Sequence, residues 1–242
     1  LDKIVVLLLL ALLPREVAEP SYSSWIIWNV GQGEWVTHVL PDRCHHFDMG
    51  GERWPKKAIG KVCGDKMNFA YFSHWDMDHV GFAARARSVL PKICLGQAPI
   101  GATSKRKQQI FAGWSACAPE TAIRLWQPPP ARAKKKSSNE QSQIYRETQM
   151  LVTGDAPKDQ ELLFVNSSEN LKRVHWLVLG HHGSRTSTSD ALLQSLPNLH
   201  LAIASARHAK YGHPHAEVLR RLRYFRVPVL STEDWGSIEI RE

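Results

Sequence analysis

The chain has 242 residues, 43% of them hydrophobic, and a formal charge of +8. That permits one large domain or two small ones, with material for a sizeable core. No apolar stretch reaches the roughly 20 residues of a membrane helix, the four cysteines (44, 63, 94 and 117) include no CxxC pair of the kind a zinc knuckle uses, and the charge favours an anionic partner.

Residues Ile4 to Leu13 form an unbroken apolar run after Lys3, and Pro14 stops it. The run has the length of a signal peptide's central region. Residues 1–20 are therefore expected to be a signal peptide or the stub of a membrane anchor, followed by a hydrolase-like domain over 21–242. The protein is expected to be exported, or anchored by that segment. Export permits two disulfides; three pairings are open, and four buried thiols are the alternative.

Trp25 to Val30 reads as a buried strand, Gly31-Gln32-Gly33 as a tight turn, and Glu34 to Leu40 as the returning strand. His45-His46-Phe47-Asp48 runs up to Met49 and two glycines, where Asp48 alone would read as a turn residue. Phe69 to Phe72 is the next, and Ser73-His74-Trp75-Asp76-Met77-Asp78-His79 follows at its carboxyl end, where α/β folds place chemistry. Two imidazoles and two carboxylates within six residues point to metal, because adjacent aspartates repel each other without a cation. Alternating positions point different ways, so His74 and Asp76 suit one ion, and Asp78 and His79 a neighbouring one. Such ligands suit zinc, manganese or iron, with the carboxylates favouring harder ions.

A helix-like run covers 81–90, and Lys92 to Leu95 suggests a strand. Residues 104–136 then hold Lys105, Arg106, Lys107, Arg124, Arg132, Lys134, Lys135 and Lys136 against one acid, Glu120, with Trp114 and Trp126 interleaved. Cations among aromatics suit a phosphate backbone and its bases; a solvated loop is the plain alternative. Ile144 to Val152 reads as one strand ending in Thr153-Gly154-Asp155, and Pro157 opens a helix through Leu163. Val174 to Leu179 is a strand with His181 and His182 just beyond it. Leu199 to Ala204 is a late strand. A basic, histidine-rich loop follows over 206–215, then a helix over 216–222 and short strands over 227–230 and 235–240.

His74-x-Asp76-x-Asp78-His79 resembles the His-x-His-x-Asp-His signature of the metallo-β-lactamase superfamily, with Asp76 in place of the middle histidine. That variant is similar to the C-terminal domain of ComEC, the DNA-uptake competence family. Asn29 to Glu34, Leu151 to Asp155, His181 to Ser184 and Tyr211 to His215 fit the same family in its order, over roughly residues 25 to 240. The resemblance implies an α/β fold, a four-layer αββα sandwich. It implies two divalent ions, zinc or manganese, held by His74, Asp76, Asp78, His79, Asp155 as the bridge, and His181, with His182 as the alternative last ligand. Asp48 would support the metal loop from behind. Asp78 and His213 are the expected catalytic residues, His213 at the rim as acid or phosphate contact, and Ser184 or Thr186 would donate to a phosphate oxygen.

The chain departs from the family at Asn29 and Glu34, where Asp is usual. It also has no histidine between His79 and Asp155. The first ion would then be held by His74, Asp76 and the bridge, unless Asn139 or water fills in. The implied function is a metal-dependent phosphodiesterase or nuclease acting on DNA in uptake, with a membrane DNA-uptake channel as partner. A metallo-hydrolase of a lactone, thioester or small phosphodiester and a non-catalytic DNA-binding module are the alternatives.

Overall fold

A computed structural model describes residues 22–118, 123–130 and 137–242. The expected signal or anchor segment, and Arg132 and Lys134 to Lys136 of the basic stretch, lie outside the described residues.

The strands are β1 (Ser24–Ile27), β2 (Val36–Val39), β3 (Arg43–Phe47), β4 (Met67–Tyr71), β5 (Ile93–Gln97), β6 (Arg124–Trp126), β7 (Ile144–Glu147), β8 (Met150–Val152), β9 (Trp176–Val178), β10 (Leu201–Ala204), β11 (Val229–Ser231) and β12 (Ile238–Arg241). They form two six-stranded mixed sheets, ordered β12-β1-β2-β3-β4-β5 and β11-β10-β9-β8-β7-β6. The helices are α1 (Lys56–Cys63), α2 (Met77–Val80), α3 (Ala83–Ala86), α4 (Lys105–Gln108), α5 (Lys158–Ser167), α6 (Asp190–Gln194), α7 (His208–Tyr211), α8 (Ala216–Tyr224) and α9 (Thr232–Trp235).

Alternation along the strands explains the layering, since successive side chains face opposite ways. Trp25, Ile27, Phe47, Tyr71, Tyr145, Val152 and Ile203 meet between the two sheets. The opposite faces are covered by helices: Ile59, Ala83 and Ala86 pack on the first sheet, and Phe164, Leu192 and Val218 on the second. The result is the αββα sandwich that the motif order implied.

Several local expectations change: β6 lies within the basic stretch, and Trp235 ends a helix rather than opening the last strand. The run over 144–152 is a hairpin, β7 and β8, turning at Thr148, which takes a positive φ of 44° without glycine or proline to announce it. The helix expected over 81–90 starts early instead. Asp76 precedes α2, so Asp78 and His79 sit on its single turn, and α3 follows separately.

Both pairs of cysteines are bonded, Cys44 to Cys63 and Cys94 to Cys117. They fix β3 to α1, and β5 to the loop after α4. Two disulfides fit an oxidising compartment outside the cytoplasm. Among the described residues no helix is long and apolar enough to cross a membrane.

A polar clasp crosses the apolar layer between the sheets. His45 Nδ1 lies 2.7 Å and His38 Nδ1 3.1 Å from Glu147 Oε1, and His38 Nε2 lies 3.3 Å from Glu242 Oε2. Burial opposes charge on His38, but its bonds to Glu147 and Glu242 outweigh that and hold it near pKa 9, against 6.5. Burial would also raise Glu147; His38 and His45 keep it below its usual range.

Candidate metal centre

Strands deliver the histidines and carboxylates to one end of the sandwich. β4 feeds the loop holding His74, Asp76, Asp78 and His79; β8 feeds Asp155; β9 feeds His181 and His182. Glycines let these segments approach. A Cβ on Gly50 would come within 2.1 Å of the Asp78 carbonyl carbon, and one on Gly154, at φ +51°, within 2.5 Å of Ser73 Cβ.

Asp155 lies at the middle. Its Oδ1 is 3.0 Å from His79 Nε2 and 3.9 Å from His182 Nε2, and Asp78 Oδ2 is 3.2 Å from that same His182 nitrogen. Its Oδ2 faces the other way, 3.7 Å from His74 Nε2 and 3.4 Å from His181 Nε2. Asp76 Oδ2 is 3.5 Å from His74 Nε2. The candidate residues thus gather about the two oxygens of Asp155, with His79 close to members of both sets. Ligand atoms of His74, His79 and Asp155 lie within 4.8 Å of one another, as do those of Asp78, His79 and His182.

A second row of bonds sets the tautomers. His79 Nδ1 donates to Asp48 Oδ2 (2.7 Å) and His182 Nδ1 to the Ser205 carbonyl (3.0 Å). Ser73 Oγ donates to Asp48 Oδ2 (2.6 Å), so it accepts from His74 Nδ1 (2.9 Å). Each Nδ1 therefore carries a proton, which leaves each Nε2 as the ring atom that would meet a metal. His74 Nε2, His79 Nε2 and Asp155 Oδ1 are buried without a hydrogen-bond partner. Orphaned buried polar atoms are costly, and this donor set fits divalent ions. Positive φ at Asp48 (55°), His181 (50°) and His182 (57°) is the backbone strain such sites tolerate.

The electrostatics are mutual. Burial alone would raise the Asp155 carboxyl, yet His79, His182 and His74 hold it well below the ordinary range. Asp78 is likewise lowered against its burial, chiefly by His182 and His79. Burial lowers His181, with Asp155 offsetting part of the effect.

His182, not His181, faces Asp78. His181 is bonded through Nδ1 to Thr186 Oγ1 (3.1 Å), which also meets Ser184 Oγ (3.0 Å). The two hydroxyls thus brace a histidine. Asn139 donates to Asp155 Oδ2 (3.3 Å) and lies 3.4 Å from His181 Nε2. Glu34 is buried beside Asp48 and His79, and burial reinforced by Asp48 pushes its carboxyl well up. His213 stands at the rim, half-buried, with Nδ1 3.4 Å from Gln32 Nε2. Lys107, from the basic stretch, reaches within 3.6 Å of Asp76 Oδ1.

Two supporting acids carried no sequence signal. Buried Glu161 accepts from the Thr188 and Ser189 amides (2.6 and 2.7 Å), fixing the loop after His182. Glu52 accepts from Gln32 N, Arg207 and Lys210, and so ties the glycine turn to the His213 loop.

No family model matches the chain. ComE operon protein 3 of Bacillus subtilis (strain 168) is 35% identical over 91 residues, 38% of this chain and 12% of that protein. Competence protein ComA of Neisseria gonorrhoeae is 28% identical over 93% of this chain and 33% of its own length. Recombination protein 2 of Haemophilus influenzae is 25% identical over 98% of this chain and 31% of its own. The chain thus spans about a third or less of these relatives. Among solved structures, the metallo-β-lactamase fold protein YhfI of Bacillus subtilis superposes with a TM-score of 0.58 at 11% identity, covering 91% of this chain and 100% of that one. A diphosphatase of the PhnP family gives 0.53 at 10% identity, covering 90% and 97%. At such identities the likeness shows the fold alone.

Proposed function

On the premise that the chain has a metallo-β-lactamase fold and that ComEC-family competence proteins are its homologues over most of its length, we propose that it is a metal-dependent hydrolase of phosphodiester bonds in DNA. The observation that supports this best is the division of ligands about Asp155. His74, Asp76, His181 and Asp155 Oδ2 would hold one divalent ion, zinc or manganese; Asp78, His79, His182 and Asp155 Oδ1 would hold the second. His181 then stands in for the histidine absent between His79 and Asp155.

Bound ions would supply Lewis acidity and lower the pKa of water to near neutral. The protein's own groups do the rest. Asp48 and Ser73 fix the imidazoles, so no reorganisation is needed when substrate arrives. His213, its pKa lowered by burial and then by His182 and His181, stands at the rim, where it would contact the phosphate or the leaving oxygen. Lys107 and the basic surface around it would draw in a polyanion. The disulfides support export, and the competence proteins among the relatives support a role in DNA uptake, beside a membrane channel.

The test is hydrolysis of bis-p-nitrophenyl phosphate and of labelled DNA, with metal analysis, for the wild type and Asp155→Asn. Cleavage of both that needs manganese or zinc and vanishes in the variant is expected. Bound metal with neither substrate cleaved would overturn the phosphodiesterase reading and point to lactones or thioesters.

A further inference from the structure

A second cationic feature lies away from the ligands of Asp155, at the opposite end of β8. A cavity of about 580 Å³ opens beside the edge strand β6, lined by Arg124, Arg146 and Arg173, with Trp126 and Phe164 forming its apolar side. Thr148, at the hairpin turn, is also in its wall. Counting seven residues of extended chain from there to Asp155 puts it at most about 23 Å from the metal centre.

The arrangement costs stability as it stands. Arg124 and Arg146 are directly opposite each other on β6 and β7, where like charges repel. Arg173 joins them from the turn before β9. Arg146 Nη1 donates to the Asn170 carbonyl (2.9 Å). Among the described residues no ion pair joins any of the three to a carboxylate, although Glu169 is in the lining. Burial, then the nearness of Arg124 and Arg173, lowers the Arg146 guanidinium. Trp126 is held edge-on to Phe164, ring centres 5.9 Å apart, with Nε1 bonded to Ser167 Oγ (2.9 Å).

Three convergent guanidiniums suit an anion with several oxygens, which they can grip by paired hydrogen bonds. An indole at their side suits a planar base. We propose that this cavity is a second DNA site, separate from the metal centre, which holds the phosphates of a single-stranded segment on Arg124, Arg146 and Arg173 with a base against Trp126. The choice of DNA rests on the function proposed above; the need for a polyanion rests on the uncompensated arginines. Such a site would fix where along a strand the metal centre acts.

Fluorescence anisotropy of a labelled oligothymidine tests this, with EDTA present so that binding is read without cleavage. Arg124 and Arg173 are exposed and repel Arg146, so Arg124→Ala/Arg173→Ala is expected to melt no lower than the wild type and to keep its metal content. Its affinity should fall at least tenfold. The slope of log affinity against log salt should flatten by about 1.4, about 0.7 for each lost phosphate contact. Trp126→Phe should weaken binding further, and Arg173→Glu alone gives a one-contact check at an exposed turn. Wild-type affinity and salt slope in the double variant and in Arg173→Glu would overturn the proposal. Arginine-dependent binding by a protein that cleaves no phosphodiester would keep this site and remove the hydrolase. DNA cleavage with unchanged binding in the variants would do the reverse.

Discussion

His182 Nε2 lies 3.2 Å from Asp78 Oδ2, across 104 positions of chain. The two groups come from different sheets, and only the closed sandwich brings them together. His181, one residue earlier, faces the other oxygen of the bridging Asp155. Adjacent histidines can divide in this way because both backbones are left-handed, which turns their rings apart.

Replacing the two histidines separately should therefore remove different ions. His182→Ala is expected to weaken one ion by more than the roughly 10–100-fold that an outer partner is worth, and to abolish hydrolysis. His181→Ala should weaken the other and leave the Asp78–His79 group loaded. Metal titration with spectroscopic cobalt reads the two separately; identical stoichiometry in both variants would contradict the division.

Asp48 touches no candidate substrate position, yet it receives His79 Nδ1, Ser73 N and Ser73 Oγ. Asp48→Asn keeps the shape and loses an acceptor. Metal affinity should drop about 10–100-fold, with little change in KM once metal saturates. Isothermal titration and kinetics at high metal check this.

The inter-sheet clasp makes stability depend on pH in a stated direction. His38 is raised from 6.5 to about 9, so its contribution is full below pH 6.5 and disappears as pH climbs through 9. Glu147 and Glu242 are lowered, Glu242 to about 2, so theirs is full above pH 4.5 and fades as pH falls. The plateau for this cluster is pH 4.5–6.5. At 1.36 kcal/mol per unit, the alkaline loss is roughly 3 kcal/mol. Glu147→Gln should flatten that alkaline limb in urea melts; a limb as steep as in wild type would show that other groups cause it.

Reduction should destabilise the first half of the sandwich. Loops of this size are worth about 3 kcal/mol per disulfide in the chain-entropy picture. Cys94→Ser/Cys117→Ser is expected to lower the urea midpoint, and added reductant to shift the wild type further than it shifts the variant.

How much was legible in the chain follows from where the determinants sit. His74 to His79 are contiguous, so their chemistry shows without a fold. Asp155 was readable as an acid at a strand end, and most strands from their apolar runs, though not β6, whose Arg124-Leu125-Trp126 lies in the basic stretch. The sharing of roles between His181 and His182 was not, because it depends on φ values that no residue type announces. The β7–β8 turn was hidden for the same reason at Thr148. Glu52 and Glu161 act across long separations on backbone amides, and a single acid in a helix or loop does not say which amide it will meet. The Arg124–Arg146 juxtaposition needs the strand register, which the composition of the basic stretch does not contain.

The pairing of the cysteines has a bearing on biogenesis. Each bonds to the next one along the chain, after 19 and then 23 residues. A polypeptide emerging amino-end first into an oxidising space would always offer the correct thiol before any competitor. These four cysteines are all paired by residue 117, before β6 to β11 have been delivered. Among these four cysteines, simple oxidation in order of arrival thus gives the observed connectivity.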